Sequence, residues 1–169
     1  MIFITIFALM MSIVCLPNNH NKCQKPNISL LIGLFKTWNN ALQSANPEKV
    51  VDLYSKKSVL LATLENEPLD TYEKKIHYFE EFLLKNPVGT LIKTYSNINT
   101  KTPYIDGTYN FNINVFNDNC APLKCGNITN MCIGICRTDV KARFTYIYTC
   151  EKGEWKIQHH HSSKFPNNI

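Results

Sequence analysis

Several signatures that would name a chemistry outright are missing from these 169 residues. There is no glycine-rich phosphate loop, no dinucleotide fingerprint and no nucleophile motif, so nucleotide-driven chemistry and covalent hydrolysis find no anchor in the sequence. No run of five basic residues occurs, and no basic stripe is interleaved with aromatics. The formal charge of +5 is dispersed along the chain, which suits a solvated surface and gives a phosphate backbone nothing to track. Nucleic acid is therefore not an expected partner. Internal repeats and low-complexity linkers are absent too. A chain of this length with 44% hydrophobic residues is expected to fold around one core.

What is present begins with an apolar run. Residues 1 to 16 are almost wholly hydrophobic and give way at once to Pro17-Asn18-Asn19-His20. The run is short of the roughly twenty residues a membrane-spanning helix needs and reads as a signal peptide, although a positive n-region and a small-x-small cleavage site do not stand out. The membrane enters only if this segment is retained as an anchor. Residues 17–27 read as a linker and 28–166 as the domain.

Seven cysteines support export independently. If Cys15 leaves with the signal, Cys23, Cys120, Cys125, Cys132, Cys136 and Cys150 remain as disulfide candidates, with a Cys23–Cys150 bridge among the possibilities. The four from Cys120 to Cys136 have four, six and three intervening residues. Paired two-residue spacings are missing, so bridges are favoured over zinc. No metal and no cofactor is expected. Asn27-Ile28-Ser29 and Asn127-Ile128-Thr129 are glycosylation triplets if the host is eukaryotic.

Ile28, Leu31, Leu34, Phe35, Trp38, Ala41 and Leu42 recur at helical spacing and predict a first helix ending near Ser44-Ala45. Asn46-Pro47-Glu48 predicts a second, short helix through Val50, Val51, Leu53 and Tyr54. Val59–Ala62 reads as a buried strand. Asp70-Thr71 caps a third helix bearing Ile76, Phe79, Phe82 and Leu83, stopped by Asn86-Pro87. Past Gly89 the period falls to two, with strands expected over 90–97, 104–116, 138–150 and 154–163. A cysteine-rich loop is expected over 117–137. Helices followed by an antiparallel sheet give an α+β fold.

These blocks, taken in order, resemble a known family. Trp38-Asn39-Asn40-Ala41-Leu42, Asn46-Pro47-Glu48-Lys49-Val50, Val59 to Leu64, Tyr78 to Leu83 with Pro87-Val88-Gly89, Gly107-Thr108-Tyr109, Ala142-Arg143-Phe144-Thr145, Trp155-Lys156-Ile157 and His160 to Pro166 match its successive motifs. The pattern is similar to the SgcJ/EcaC-type and calcium/calmodulin-dependent protein kinase II association-domain-like branch of the nuclear transport factor 2-like superfamily, over about residues 30 to 166. The resemblance implies a cone: a curved, mainly antiparallel sheet wrapped around helices, with a pocket between them. It also implies a homodimer or larger homo-oligomer. The fold hosts binding modules and isomerase or dehydratase enzymes alike, so it does not settle function. The expected function is an exported, self-associating domain that binds a small anionic or hydrophobic molecule. The alternative is an isomerase- or dehydratase-like enzyme moving protons with a pocket His or Asp.

Arg143 matches the family block, and a guanidinium in a pocket grips a carboxylate with two parallel hydrogen bonds. The other readings are an ion pair with Glu65, Glu67 or Asp106, or an exposed charge on the outer sheet face. Strict alternation along the last strand sends His159 and His161 to one side with Trp155 and Ile157, and His160 and Ser162 to the other. His161 and His159 are the expected cavity residues, as base or ligand donor, against the plainer reading of a core histidine. Tyr54, Tyr109 and Trp38 are expected in the wall. Of the aspartates, Asp52, Asp70, Asp106, Asp118 and Asp139 are the supply for proton transfer, and none sits persuasively.

Overall fold

The computed structural model describes residues 22–117 and 134–166. The apolar run 1–16, Cys15, Cys120, Cys125, Cys132, the Asn127 triplet and most of the expected cysteine-rich loop lie outside the described residues.

Helix α1 (Ile28–Leu42) opens where the Asn27 side chain accepts from the Leu30 amide, satisfying one orphan N–H of the first turn. Its buried stripe is Leu31, Phe35, Trp38 and Leu42. Helix α2 (Pro47–Val51) is capped by Asn46 with proline in its first turn. It stops short of the expected Tyr54, because the Leu53 carbonyl accepts from the Ile157 amide and Tyr54 pairs with Ile157. That pairing draws Tyr54 into β1 (Tyr54–Leu61), longer than the four-residue strand expected. Helix α3 (Tyr72–Leu83) starts at Thr71, whose hydroxyl accepts from the Lys74 amide.

The remaining strands are β2 (Val88–Asn97), β3 (Tyr104–Asn117), β4 (Gly134–Glu151) and β5 (Glu154–Lys164). β4 begins earlier than expected, so residues 134–137 belong to the sheet and not to a loop. Together they form a curved five-stranded sheet in the order β1-β5-β4-β3-β2. All neighbours are antiparallel except β1 and β5, which run parallel. The fold is the expected α+β cone.

One face of the sheet receives the helices. Phe35 packs on Phe144 and Tyr146, and Trp38 packs on Phe111 and Tyr146, mostly with tilted or edge-on rings. Asn39 clamps α1 to the edge strand, its amide nitrogen donating to the Gly89 carbonyl and its oxygen accepting from the Gly89 amide, at 3.0 and 2.8 Å. A side chain at Gly89 would press on that amide and on Phe111. Gly107 stands at φ 144°, where a Cβ would lie 1.9 Å from the Lys93 carbonyl oxygen. Only glycine admits the local irregularity by which β2 and β3 bend around the core.

Lys75 is fully buried, an outcome its sequence context does not announce. Its ammonium donates to the carbonyls of Ser58, Leu69 and Thr71 at 3.0 to 3.3 Å, using all three protons. Burial lowers its pKa, and the carbonyls hold the charged form by joining β1, the following connection and the start of α3. The Cys23–Cys150 disulfide ties the segment before α1 to the end of β4 across 127 positions. The Trp155 indole adds a hydrogen bond to the Gln24 carbonyl. Cys136 is disulfide-bonded as well.

Candidate functional site

Between the helices and the inner sheet face lies a cavity of about 170 Å³. Aromatic side chains form most of its wall: Trp38, Tyr78, Phe79, Phe82, Tyr109 and Phe111. An apolar cavity of about 150 Å³ is enough for a benzene ring, so the space is of single-ring size.

Its polar groups come mainly from alternate residues of β5. His160, Ser162 and Lys164 all line it, facing inward beside Tyr146, Phe144 and Ala142 of β4. His160 is buried, while Lys164 is exposed at the other end of the stripe. At about 3.3 Å per residue, the Cα atoms of His160 and Lys164 are about 13 Å apart. Lys85 supplies a second cation, and the described lining residues include no Asp or Glu.

The His160 ring sits on Tyr146, centroids 4.2 Å apart, and meets the edge of Trp38 at 5.3 Å. Its Nδ1 lies 2.8 Å from the Tyr54 hydroxyl, which in turn accepts from the Trp38 indole N–H at 3.1 Å. The indole can only donate. The phenolic proton is used only if it points at Nδ1, which makes Nδ1 the acceptor and leaves the hydrogen on Nε2. That Nε2 is buried and has no hydrogen-bond partner. Burial, reinforced by repulsion from His159 and His161, lowers the imidazole pKa to about 3, so His160 is neutral at any ordinary pH. Burial likewise pushes the Tyr54 phenol well above the usual tyrosine range. The result is a locked N–H donor and a very weak proton acceptor.

A second polar group sits further along the stripe. The Tyr109 hydroxyl donates to Ser162 Oγ at 2.6 Å, and Ser162 and Thr63 share a hydrogen bond of 2.7 Å. Tyr109 is buried and burial raises its pKa; it acts as a fixed dipole.

Of the expected site residues, Trp38 and Tyr109 line this cavity, and Tyr54 lies behind it, holding His160. Tyr54 also borders a second hollow of about 470 Å³ beneath Asp52, Tyr72, Glu151 and Lys156. Arg143 is elsewhere. It pairs with Thr108 and Ser163 on the outer face, is exposed, and lays its guanidinium 5.0 Å from the Phe165 ring. His159 and His161 also face outward, opposite Ile147 and Thr145. The reason is a bulge: Tyr148 pairs with Ile157 but Ile147 pairs with His159, leaving Gln158 as an extra residue. Parity resets there, and His160, not His161, shares a face with Ile157. Among the described residues no three His, Cys, Asp or Glu side chains converge as a metal set.

Residues 29–105 match the calcium/calmodulin-dependent protein kinase II association domain. A solved structure from Xanthomonas campestris, described as such an association domain, is 31% identical, with a TM-score of 0.68, covering 88% of this chain and 99% of that one. A protein from Streptomyces avermitilis, described as a dehydratase of the nuclear transport factor 2-like family, shares the fold at 12% identity and a TM-score of 0.62, over 82% of this chain and 97% of that one. A ketosteroid isomerase-like protein from Erwinia carotovora atroseptica does so at 9% identity and a TM-score of 0.57, over 82% and 96%. Among curated proteins none matches.

Proposed function

Starting from the fact that the chain belongs to the calcium/calmodulin-dependent protein kinase II association domain family, we propose that it is an exported, self-associating domain whose cavity holds a small molecule. The observation that carries the binding half is His160: it lines a single-ring aromatic space, and its Nε2 is a buried donor with no partner among the described residues. Leaving such a group unpaired costs roughly 1–3 kcal/mol, and a ligand oxygen accepting from it removes that cost. Arg143 and His161, first expected as the grip, stand on the opposite face, so His160 takes that part.

Export is supported by the Cys23–Cys150 bridge. Self-association is supported by the family and by the outer face of β1, β5 and β4, where Val59, Leu61 and Ile147 surround His159 and His161. Proton-transfer catalysis has less support. Its base would be an imidazole with a pKa near 3, and no carboxylate is found among the described lining residues to replace it.

Phenol tests the binding half. Titrated into isotope-labelled protein, it is expected to shift the His160 ring N–H resonance and to bind about tenfold more weakly to His160→Phe, the loss of one hydrogen bond. No binding at millimolar phenol, with the ring N–H unmoved, would overturn it.

A further inference from the structure

Much of the cavity's polar lining lies along one strand. His160, Ser162 and Lys164 succeed one another on the inner face of β5, running from a buried neutral donor to an exposed ammonium. Lys85, just past α3, lines the same cavity as a second cation, its carbonyl accepting from the Asn114 amide of β3. Of the polar groups whose direction is settled, the His160 Nε2–H has a proton to spare, whereas the Tyr109 hydroxyl spends its own on Ser162. Among the described residues these two lining cations meet no carboxylate in the cavity wall and neither has an ion pair.

The geometry points to a ligand of one class: a single-ring aromatic acid, ionised, with a hydrogen-bond acceptor on the side of the ring opposite the acid. This deepens the binding reading above and rests on it. The ring would lie among Trp38, Phe79, Phe82 and Phe111, which present both faces and edges. The acceptor would take the Nε2–H of His160. The acid would remain at the lysine end, because a carboxylate pushed toward His160 would be stripped of water without a cation beside it. The long lysine stems line the wall while their ammonium groups stay near solvent, which leaves the charge hydrated and the pair sensitive to salt. A cavity of about 170 Å³ admits one ring with its substituents and excludes fused polycyclic acids.

The probes are 4-hydroxybenzoate, which carries acid and acceptor, and phenol, which carries the acceptor alone. Isothermal titration of both into the wild-type chain and into a Lys85→Met/Lys164→Met double variant gives four affinities. Methionine keeps the stem volume and removes the charge. The expected result is that wild type binds 4-hydroxybenzoate at least tenfold more tightly than phenol. That ratio falls to near one in the double variant and, for wild type, in molar salt. If phenol binds as tightly as the acid, or the ratio survives the double substitution, the acid-selective reading is wrong while the binding function stands. If neither probe binds the wild-type chain, both readings fall together.

Discussion

Three histidines stand in a row on β5, and their neighbours give them different physics. His159 and His161 face outward, and His160 is sealed between Tyr146, Trp38 and Tyr54. Sealing it has a measurable consequence for pH. An unfolded histidine titrates near 6.5, whereas folded His160 stays neutral to about 3. Between those values the unfolded chain binds a proton that the folded chain refuses, so stability is full above about pH 6.5 and falls as the solution is acidified. The slope is roughly a tenfold loss in the folding equilibrium per pH unit. Urea melts at pH 7.5, 6 and 4.5 should show it, and His160→Phe should flatten it; His159, also lowered by burial, leaves a smaller residue of the effect. A wild-type slope no steeper than the variant's would contradict the assignment. Trp38 and Tyr109 were legible as wall residues because helical spacing and strand alternation place them inside. His160 was not, since Gln158 is an ordinary strand residue and nothing in its type announces a bulge that reverses parity.

At the scale of elements, the caps of α2 and α3 read directly from the chain and that of α1 did not, though Asn27, Asn46 and Thr71 each hold the amide three residues on. What escaped was the work of Lys75 and the early end of α2, both decided by partners distant in sequence. Lys75→Met would leave the carbonyls of Ser58, Leu69 and Thr71 without their donor. It should cost at least about 1–3 kcal/mol by chemical denaturation, with α3 losing hydrogen-exchange protection first. An unchanged denaturation midpoint would mean that water replaces the ammonium. Gly107→Ala meets both an unfavourable φ and the Lys93 carbonyl. More than 1 kcal/mol of destabilisation is expected, with β2 amides exchanging faster than those of β4.

Over the whole molecule, the Cys23–Cys150 bridge closes most of the domain into one loop. Chain-entropy reasoning for a loop of about a hundred residues gives up to about 4.7 kcal/mol. Cys23→Ser/Cys150→Ser should lower stability by about 2–4 kcal/mol in thermal or urea melts, and an unchanged melting temperature would show that the tie is ornamental. Self-association has its own measurement. Sedimentation of the wild-type chain should show a dimer or larger species, and Ile147→Lys on the outer face should shift it toward monomer. A wild-type chain that sediments as a monomer at micromolar concentration would remove that half of the proposed function. The cone itself was readable because the blocks of helix and strand follow one another in family order. The cavity's donors on β5 were not, because they depend on which way that strand turns.

The bulge at Gln158 carries a last implication for how mutable this molecule is. Pairing after it runs Ile147 to His159 and Tyr146 to His160. A chain lacking Gln158 would therefore continue from Ile157 in unbroken alternation and still point His160 inward. If instead the bulge were smoothed with Gln158 kept, the ladder would slide by one and His159 would take the deep seat; a second extra residue would hand it to His161. A triplet of identical side chains thus insures the innermost position against insertion, deletion or slippage in the strand, so an imidazole survives there even when the register does not.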